Sequence, residues 1–299
     1  MALHTVGILS PGDMGHAVGA LLHRSGLRVL TCLEGRSDRT RELAAKAGIE
    51  AVPSLEALAC EAQIILCILV PSEALGVAQA LADAIRRDGT PQSKDLLYAD
   101  CNAIAPRTVR AINEVITAAG ARCADVGIIG GPPTEPHTTR FYTSGPGATE
   151  FGQLNDFGLA VRILDGPVGQ ASGFKMCYGA MTKGVQALGT ELLIAAQRLG
   201  FAEAFAAEQQ ESVPVLRTHL ERSLPTMPPK AHRWVGEMEE IATCFADLGL
   251  TPNIMLGAAD IFRFVATTPI GHETPETRDR DRTADGVIAA LAESVGRKQ

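Results

Sequence analysis

Short apolar runs alternate with amphipathic stretches through the first half of this chain. Residues 3–9 carry a strand-like pattern (Val6, Ile8, Leu9), a glycine-containing turn follows, and 13–25 repeat with helical spacing. Residues 28–33 read as strand again and lead through a polar turn to a helix near 38–47. Residues 63–70 (Gln-Ile-Ile-Leu-Cys-Ile-Leu-Val) form an unbroken apolar run closed by Pro71, as a strand buried on both faces should. A helix near 72–87, a strand at 95–100 and a helix at 105–119 continue the series. Strands near 121–129, 138–144 and 159–164 complete it. This alternation predicts a doubly wound, mostly parallel sheet with helices on both faces.

From about residue 168 the strand signals vanish. Alanine-rich helical stretches follow at about 170–199, 201–222, 231–249 and 253–267, and a polar segment at 271–283 reads as an exposed loop before a terminal helix. The break near Gly166-Pro167 therefore divides an α/β domain, 1–167, from an all-α domain, 168–299. With 299 residues, two domains also suit the usual domain size.

Composition narrows the function classes. The chain is 46% hydrophobic with a net charge of −7, which is ample for a core and unsuited to binding a phosphate backbone. No nucleic-acid partner is expected, and no apolar run is long enough to span a membrane. The seven cysteines form no CxxC pair and have no histidine at ligand spacing, so no metal site is expected. Scattered thiols, and a start that runs directly into a strand, point to a reducing cytoplasm.

The first strand-to-helix turn reads Gly7-Ile8-Leu9-Ser10-Pro11-Gly12-Asp13-Met14-Gly15. A dinucleotide turn needs a sharp bend, a residue without a side chain where the diphosphate approaches, and a small residue packing helix on strand. Gly12 and Gly15 fit the second and third needs, while Ser10 stands where the first glycine is usual. Ser10, Pro11, Gly12, Asp13 and Met14 would thus cradle the cofactor at a helix N-terminus, which makes the first domain Rossmann-type. After the second strand comes Cys32-Leu33-Glu34-Gly35-Arg36-Ser37-Asp38-Arg39-Thr40. Glu34 suits the ribose of NAD; Arg36, Ser37, Arg39 and Thr40 suit the 2′-phosphate of NADP, and NADP is the favoured cofactor. The plainer alternative is a solvated turn with Ser37 as a helix N-cap.

Several segments together resemble the β-hydroxyacid dehydrogenase and 6-phosphogluconate dehydrogenase superfamily over nearly the whole chain. The resemblance is greatest to its branch with the shorter helical C-terminal domain. Gly12-Asp13-Met14-Gly15 is similar to the family's Gly-x-Met-Gly turn, and Val70-Pro71-Ser72 to the strand end beside the nicotinamide. Asp100-Cys101-Asn102-Ala103-Ile104-Ala105-Pro106 resembles its Asp-x-Ser-Thr-x-x-Pro loop, and Asp125-Val126-Gly127-Ile128-Ile129-Gly130-Gly131 its Asp-Ala-Pro-Val-Ser-Gly-Gly substrate loop. Gly169 to Tyr178 is similar to the segment Gly-x-x-x-x-Lys-x-x-x-Asn. The resemblance implies that Lys175 is the general acid/base and that Ile129, Gly130 and Gly131 line the substrate. Three positions depart from it. Ile129 replaces the serine that holds a substrate carboxylate, Gly179 stands in the asparagine's place beside Tyr178, and a late-helix lysine is missing near Gly236-Glu237.

On a helix, Lys175, Gly179, Thr182, Lys183, Gln186 and Thr190 share about one quadrant, while Cys177, Met181, Val185, Leu188 and Leu192 occupy an apolar face. Such a polar stripe suits the lining of a cleft; the bland alternative is a solvent-facing stripe. Lys175 could then donate a proton to the forming alkoxide, with Asn102 and Tyr178 as neighbours. Lys183 is a substrate contact if the stripe lines that cleft, and Arg233 could replace the missing positive charge. For Asn102, Tyr178 and Arg233 the competing readings are loop capping, core packing and a surface pair with Glu237.

The leading expectation is an NADP-linked dehydrogenase or reductase acting on CH–OH or C=O of a small molecule. An imine reductase of the same superfamily, or an NADP-binding protein without chemistry, are the alternatives. Apolar surface on the alanine-rich helices, and the way related families assemble, point to a homodimer.

Overall fold

The computed structural model describes residues 2–274 and 277–296, apart from the side chain of Lys94. Its first half runs β1 (Thr5–Leu9), α1 (Asp13–Arg24), β2 (Arg28–Cys32), α2 (Asp38–Lys46), β3 (Glu50–Val52), α3 (Leu55–Glu61) and β4 (Ile64–Cys67). It continues through α4 (Ala74–Asp88), α5 (Pro91–Lys94), β5 (Leu97–Asp100), α6 (Pro106–Ala118), β6 (Arg122–Ile129), β7 (Arg140–Ser144), α7 (Ala148–Phe151) and β8 (Ala160–Ile163). The helical half comprises α8 (Gln170–Arg198), α9 (Ala202–Ser212), α10 (Pro214–Ser223), α11 (Ala231–Asp247), α12 (Asn253–Ala266) and α13 (Ala284–Ser294).

The eight strands lie in the order β3-β2-β1-β4-β5-β6-β7-β8. Every pairing is parallel except β6 with β7, which is antiparallel with Asp125 opposite Ser144. Alternate residues of β4 feed two separate cores: Ile64 and Leu66 join Val6, Val18 and Leu22, whereas Ile65 and Cys67 join Leu58, Leu81 and Ile112. Burial on both faces explains why this strand reads as a continuous apolar run. Strand order reverses at β1, whose neighbours are β2 and β4, and the carboxyl ends of β1, β4, β5 and β6 share one edge of the sheet. Open α/β sheets bind ligands outside that edge.

Three details differ from the sequence reading. The edge strand β3 carries no sequence signal, because only Val52 of its three residues is buried. The stretch near 201–222 is two helices, α9 and α10, divided at Pro214, which lacks the N–H that a continuous helix needs. The chain divides into compact units Met1–Met176 and Cys177–Gln299, so the first two turns of α8 belong with the sheet rather than with the helices that follow. Their attachment is specific: Ser172 Oγ donates to Asp125 Oδ1 at 2.6 Å, and a β-carbon on Gly127 would lie 2.8 Å from the Ala171 carbonyl oxygen.

The second unit has its own core, with Met238 and Ile241 of α11, Phe262 and Val265 of α12, and Val287 and Leu291 of α13 all buried. Trp234 meets Phe262 edge-on at 5.2 Å. In the polar segment 271–283, Pro269–His272 form a 3₁₀ turn, Arg282 pairs with Glu273 at 2.7 Å, and Thr283 caps α13; residues 275–276 of that segment lie outside the described residues. No helix among the described residues is long and apolar enough to cross a membrane.

Candidate active site

The turn between β1 and α1 has the shape a diphosphate requires. Ser10 takes a left-handed conformation (φ 64°), which is why glycine is the commoner residue there, and its carbonyl accepts from Gly12 N at 2.7 Å. A β-carbon on Gly15 would lie 2.6 Å from the Ser10 carbonyl oxygen, so this position must be glycine for α1 to pack on the turn. A β-carbon on Gly12 would meet no protein atom within 4 Å, which leaves the backbone open to a ligand. Gly12 is also the N-cap of α1, and no side chain caps that helix end. A helix N-terminus beside a glycine cradle fits a cofactor diphosphate.

The neighbouring rim carries the expected cations in unequal roles. Arg39 pairs with Asp13 at 2.6 Å and so offsets an acid in the first turn of α1. Ser37 accepts from Thr40 N as the N-cap of α2, and Arg41 donates to the Leu33 carbonyl at 2.7 Å. Arg36 is half-buried and Glu34 exposed. Val70 is exposed and stands before a short 3₁₀ turn that begins at Pro71, just beyond β4.

Beneath this edge lies a buried polar knot. Asn102 Oδ1 accepts from Leu69 N at 2.6 Å, and its Nδ2 donates to Asp100 Oδ2 at 3.1 Å, so the amide ties the end of β4 to the end of β5. Burial pushes the Asp100 carboxyl up to about 7, against hydrogen bonds from Asn102 and with the Asp125 charge adding to the rise. Burial likewise pushes the Cys67 thiol up to about 12.

Lys175, in the second turn of α8, is half-buried, and its Nζ donates to the Ile128 carbonyl at 2.6 Å. The ammonium is thereby held at the carboxyl end of β6, on the same sheet edge as the glycine turn. Gly127 allows this, because a β-carbon there would stand 3.0 Å from the Lys175 β-carbon. Ile129 is buried, Gly130 is left-handed at φ 122°, and the Gly131 carbonyl accepts from Thr139 Oγ1 at 2.6 Å.

In the second unit the expected residues have partners of their own. Lys183 Nζ bonds Glu237 Oε2 at 2.8 Å and sits 5.6 Å from the centre of the Trp234 ring. Tyr178 is half-buried, and its carbonyl accepts from Thr182 Oγ1 at 3.0 Å. Arg233 stands half-buried in the first turn of α11; burial first, then the charges of Arg233 and Arg278, hold the Lys230 ammonium below its ordinary range. Within this unit the polar stripe of α8 turns inward at Gln186 and Thr190, while Met181 and Leu188 of the apolar face point outward. Among the described residues no group of three or more His, Cys, Asp or Glu could hold a metal ion.

Residues 5–151 match the family described as the NAD binding domain of 6-phosphogluconate dehydrogenase, and residues 196–265 match a domain of unknown function, DUF1932. The first domain belongs to the 6-phosphogluconate dehydrogenase NAD-binding family. An uncharacterized 28.5 kDa protein of Methanothermus fervidus is 25% identical over 66% of this chain and 73% of its own length. Among solved structures, the conserved protein MTH1747, of unknown function and described as similar to 3-hydroxyacid dehydrogenases, is 28% identical. It covers 87% of this chain and 97% of its own, with a TM-score of 0.67. A Mycobacterium tuberculosis 3-hydroxyisobutyrate dehydrogenase shares the fold, with a TM-score of 0.68, 17% identity, and coverage of 97% and 99%.

The residues that sequence reasoning left without a role are Asp125, Ser144 and Asp100. Two of them stood inside quoted motifs, and their buried acids next to small residues were the only signal. The bond from Lys183 to Glu237 joins two different helices, α8 and α11, and so carried no local signal.

Proposed function

We propose that this protein is an NADP-dependent oxidoreductase of the 6-phosphogluconate dehydrogenase-like superfamily that interconverts a small alcohol and its carbonyl compound, with Lys175 as proton donor and acceptor. The observation that carries the reading is the Lys175 ammonium docked on the Ile128 carbonyl at 2.6 Å, on the sheet edge where the glycine turn lies. Ser10, Pro11, Gly12, Asp13 and Met14 would hold the diphosphate, Arg36 with Ser37 and Arg39 the 2′-phosphate, and Val70 and Pro71 the nicotinamide side of the site. When bound, the nicotinamide supplies or accepts the hydride. Lys175 gives its proton to the carbonyl oxygen as the alcohol forms, and in the opposite direction its neutral amine takes the hydroxyl proton. Asn102 positions the loop after β5 through Leu69 and Asp100. Gly130 and Gly131 leave backbone room for substrate.

Ile129 favours a second reading. An apolar buried residue in the place of a carboxylate-binding serine suits a substrate without a carboxylate, and reduction of a C=N bond is such a reaction. NADPH oxidation assayed across ketoacids, aldehydes, sugar-derived carbonyls and cyclic imines separates the two. Turnover of carbonyls is the expected result; turnover of imines alone would replace the first reading with the second.

We further propose a homodimer through the helical unit. Met181 and Leu188 are 59% and 61% exposed, and Val215 is 84% exposed, which is costly apolar surface for a lone chain.

A further inference from the structure

Helix α8 begins at a residue that cannot cap it, since Gly169 has no side chain and lies at φ 102°. Gln170 N donates to the Pro167 carbonyl at 3.2 Å, and two residues of the sheet satisfy the N–H groups of Gly169, Ala171 and Ser172. Asp125 Oδ2 accepts from Gly169 N at 2.8 Å and Ser172 N at 3.1 Å, while Oδ1 accepts from Ser172 Oγ at 2.6 Å. Ser144, opposite Asp125 in the antiparallel pair, donates its hydroxyl to Oδ2 at 3.1 Å and accepts from Ala171 N at 3.0 Å. Asp125, Ser144 and Ser172 are all buried. A carboxylate at a helix N-terminus is favourable in charge as well as in hydrogen bonding.

The same strand then grips the helix one turn further on. Gly127 admits the helix backbone at a distance that any side chain would forbid, and Ile128 accepts from Lys175 Nζ. A carboxylate that binds with both oxygens fixes the rotation of α8 about its axis as well as its position along it. Lys175 follows Ser172 by three residues, on the next turn, so that rotation decides where the ammonium points.

We infer that Asp125, with Ser144 as its relay, is the positioning residue for Lys175. The inference rests on the reading of Lys175 as the proton donor. It adds that the geometry of this donor is set by a cap supplied from β6 and β7. A displacement of about 1 Å at a reacting group costs on the order of 100-fold in rate, so loss of the cap should lower kcat by about that factor while leaving NADPH affinity unchanged.

The test compares Asp125→Ala with Asp125→Asn in the full-length protein. The asparagine keeps one oxygen for the two backbone N–H groups, and its amide nitrogen can donate to the Ser172 hydroxyl. Acetic anhydride labelling read by mass spectrometry reports each lysine separately, with exposed Lys46 as the internal standard. In Asp125→Ala the labelling of Lys175 relative to Lys46 should rise several-fold, and in Asp125→Asn it should return to the wild-type ratio. For any carbonyl compound the wild type reduces, kcat should follow the same order, with KM unmoved. An unchanged Lys175 ratio in folded Asp125→Ala, or a rise shared by Lys183 and Lys230, overturns the inference. If Asp125→Ala does not fold, Ser144→Ala and Ser172→Ala supply the same comparison, where a selective rise supports the inference and no rise overturns it. Full turnover in Lys175→Ala would remove the lysine from the chemistry, yet the labelling ratios would still decide whether Asp125 holds it.

Discussion

Gly15 approaches the carbonyl oxygen of Ser10 so closely that a β-carbon would lie 2.6 Å from it, whereas Gly12, three residues earlier, faces open space. The two glycines therefore serve different ends, one packing and one ligand access. Gly12→Ala should leave the melting temperature within a degree or two while weakening NADPH binding about tenfold or more, measured by fluorescence titration. Gly15→Ala should cost about 1–3 kcal/mol of stability through overpacking. Unaltered NADPH affinity in Gly12→Ala would contradict a diphosphate at this turn.

In the proposed reading Arg36 selects NADP over NAD. Charge-assisted hydrogen bonds contribute about 1.5–3 kcal/mol, so Arg36→Ala should weaken NADPH binding about 10- to 100-fold and leave NADH binding nearly unchanged. Arg39→Ala should have a smaller effect, because that guanidinium already pairs with Asp13. Calorimetric titration of both cofactors checks this, and equal losses for the two would count against 2′-phosphate recognition.

Much of the architecture was legible because one physical pattern repeats. The apolar run that ends at Val70 announced β4, since a strand buried on both faces leaves no polar position between Ile64 and Cys67. The edge strand β3 was not legible, because its neighbours across the sheet decide it rather than its own three residues. At the candidate site, Gly12 and Gly15 stood out because a glycine turn depends on local spacing, and Lys175 because its segment resembles a known one. Asp125 and Ser144 did not, because the donors they cap lie 44 and 27 residues further along the chain. The Lys183–Glu237 bond was hidden for the same reason. Local pattern names the helix, and only the fold names its partner.

Asp100 makes stability depend on pH. The folded protein holds its carboxyl up at about 7 through burial, while an unfolded aspartate titrates near its ordinary value of about 3.9. The folded state thus binds this proton more tightly, and the stability gained is complete below about pH 4 and lost as pH rises through 7. Denaturant unfolding of wild type and Asp100→Asn should therefore diverge by a few kcal/mol between pH 4 and pH 8, with the wild type losing ground. A difference that stays constant over that range would show that Asp100 does not titrate there.

Met181 and Leu188 offer a direct handle on assembly. Leu188→Arg combined with Met181→Glu should convert a dimer into monomers, read by light scattering after size-exclusion chromatography. The wild type should elute at twice the chain mass of 31.5 kDa. A wild-type monomer would show that this apolar face serves another end.

The central claim is that the Lys175 amine moves the proton. The most direct measurement pairs single-turnover NADPH oxidation with NADPH binding in Lys175→Met, using a carbonyl compound that the wild type reduces. Turnover should fall by a factor on the order of 100 to 10,000, the usual contribution of a general acid, while the NADPH dissociation constant stays within about twofold. Turnover at the wild-type rate in a variant that still binds NADPH would contradict the account.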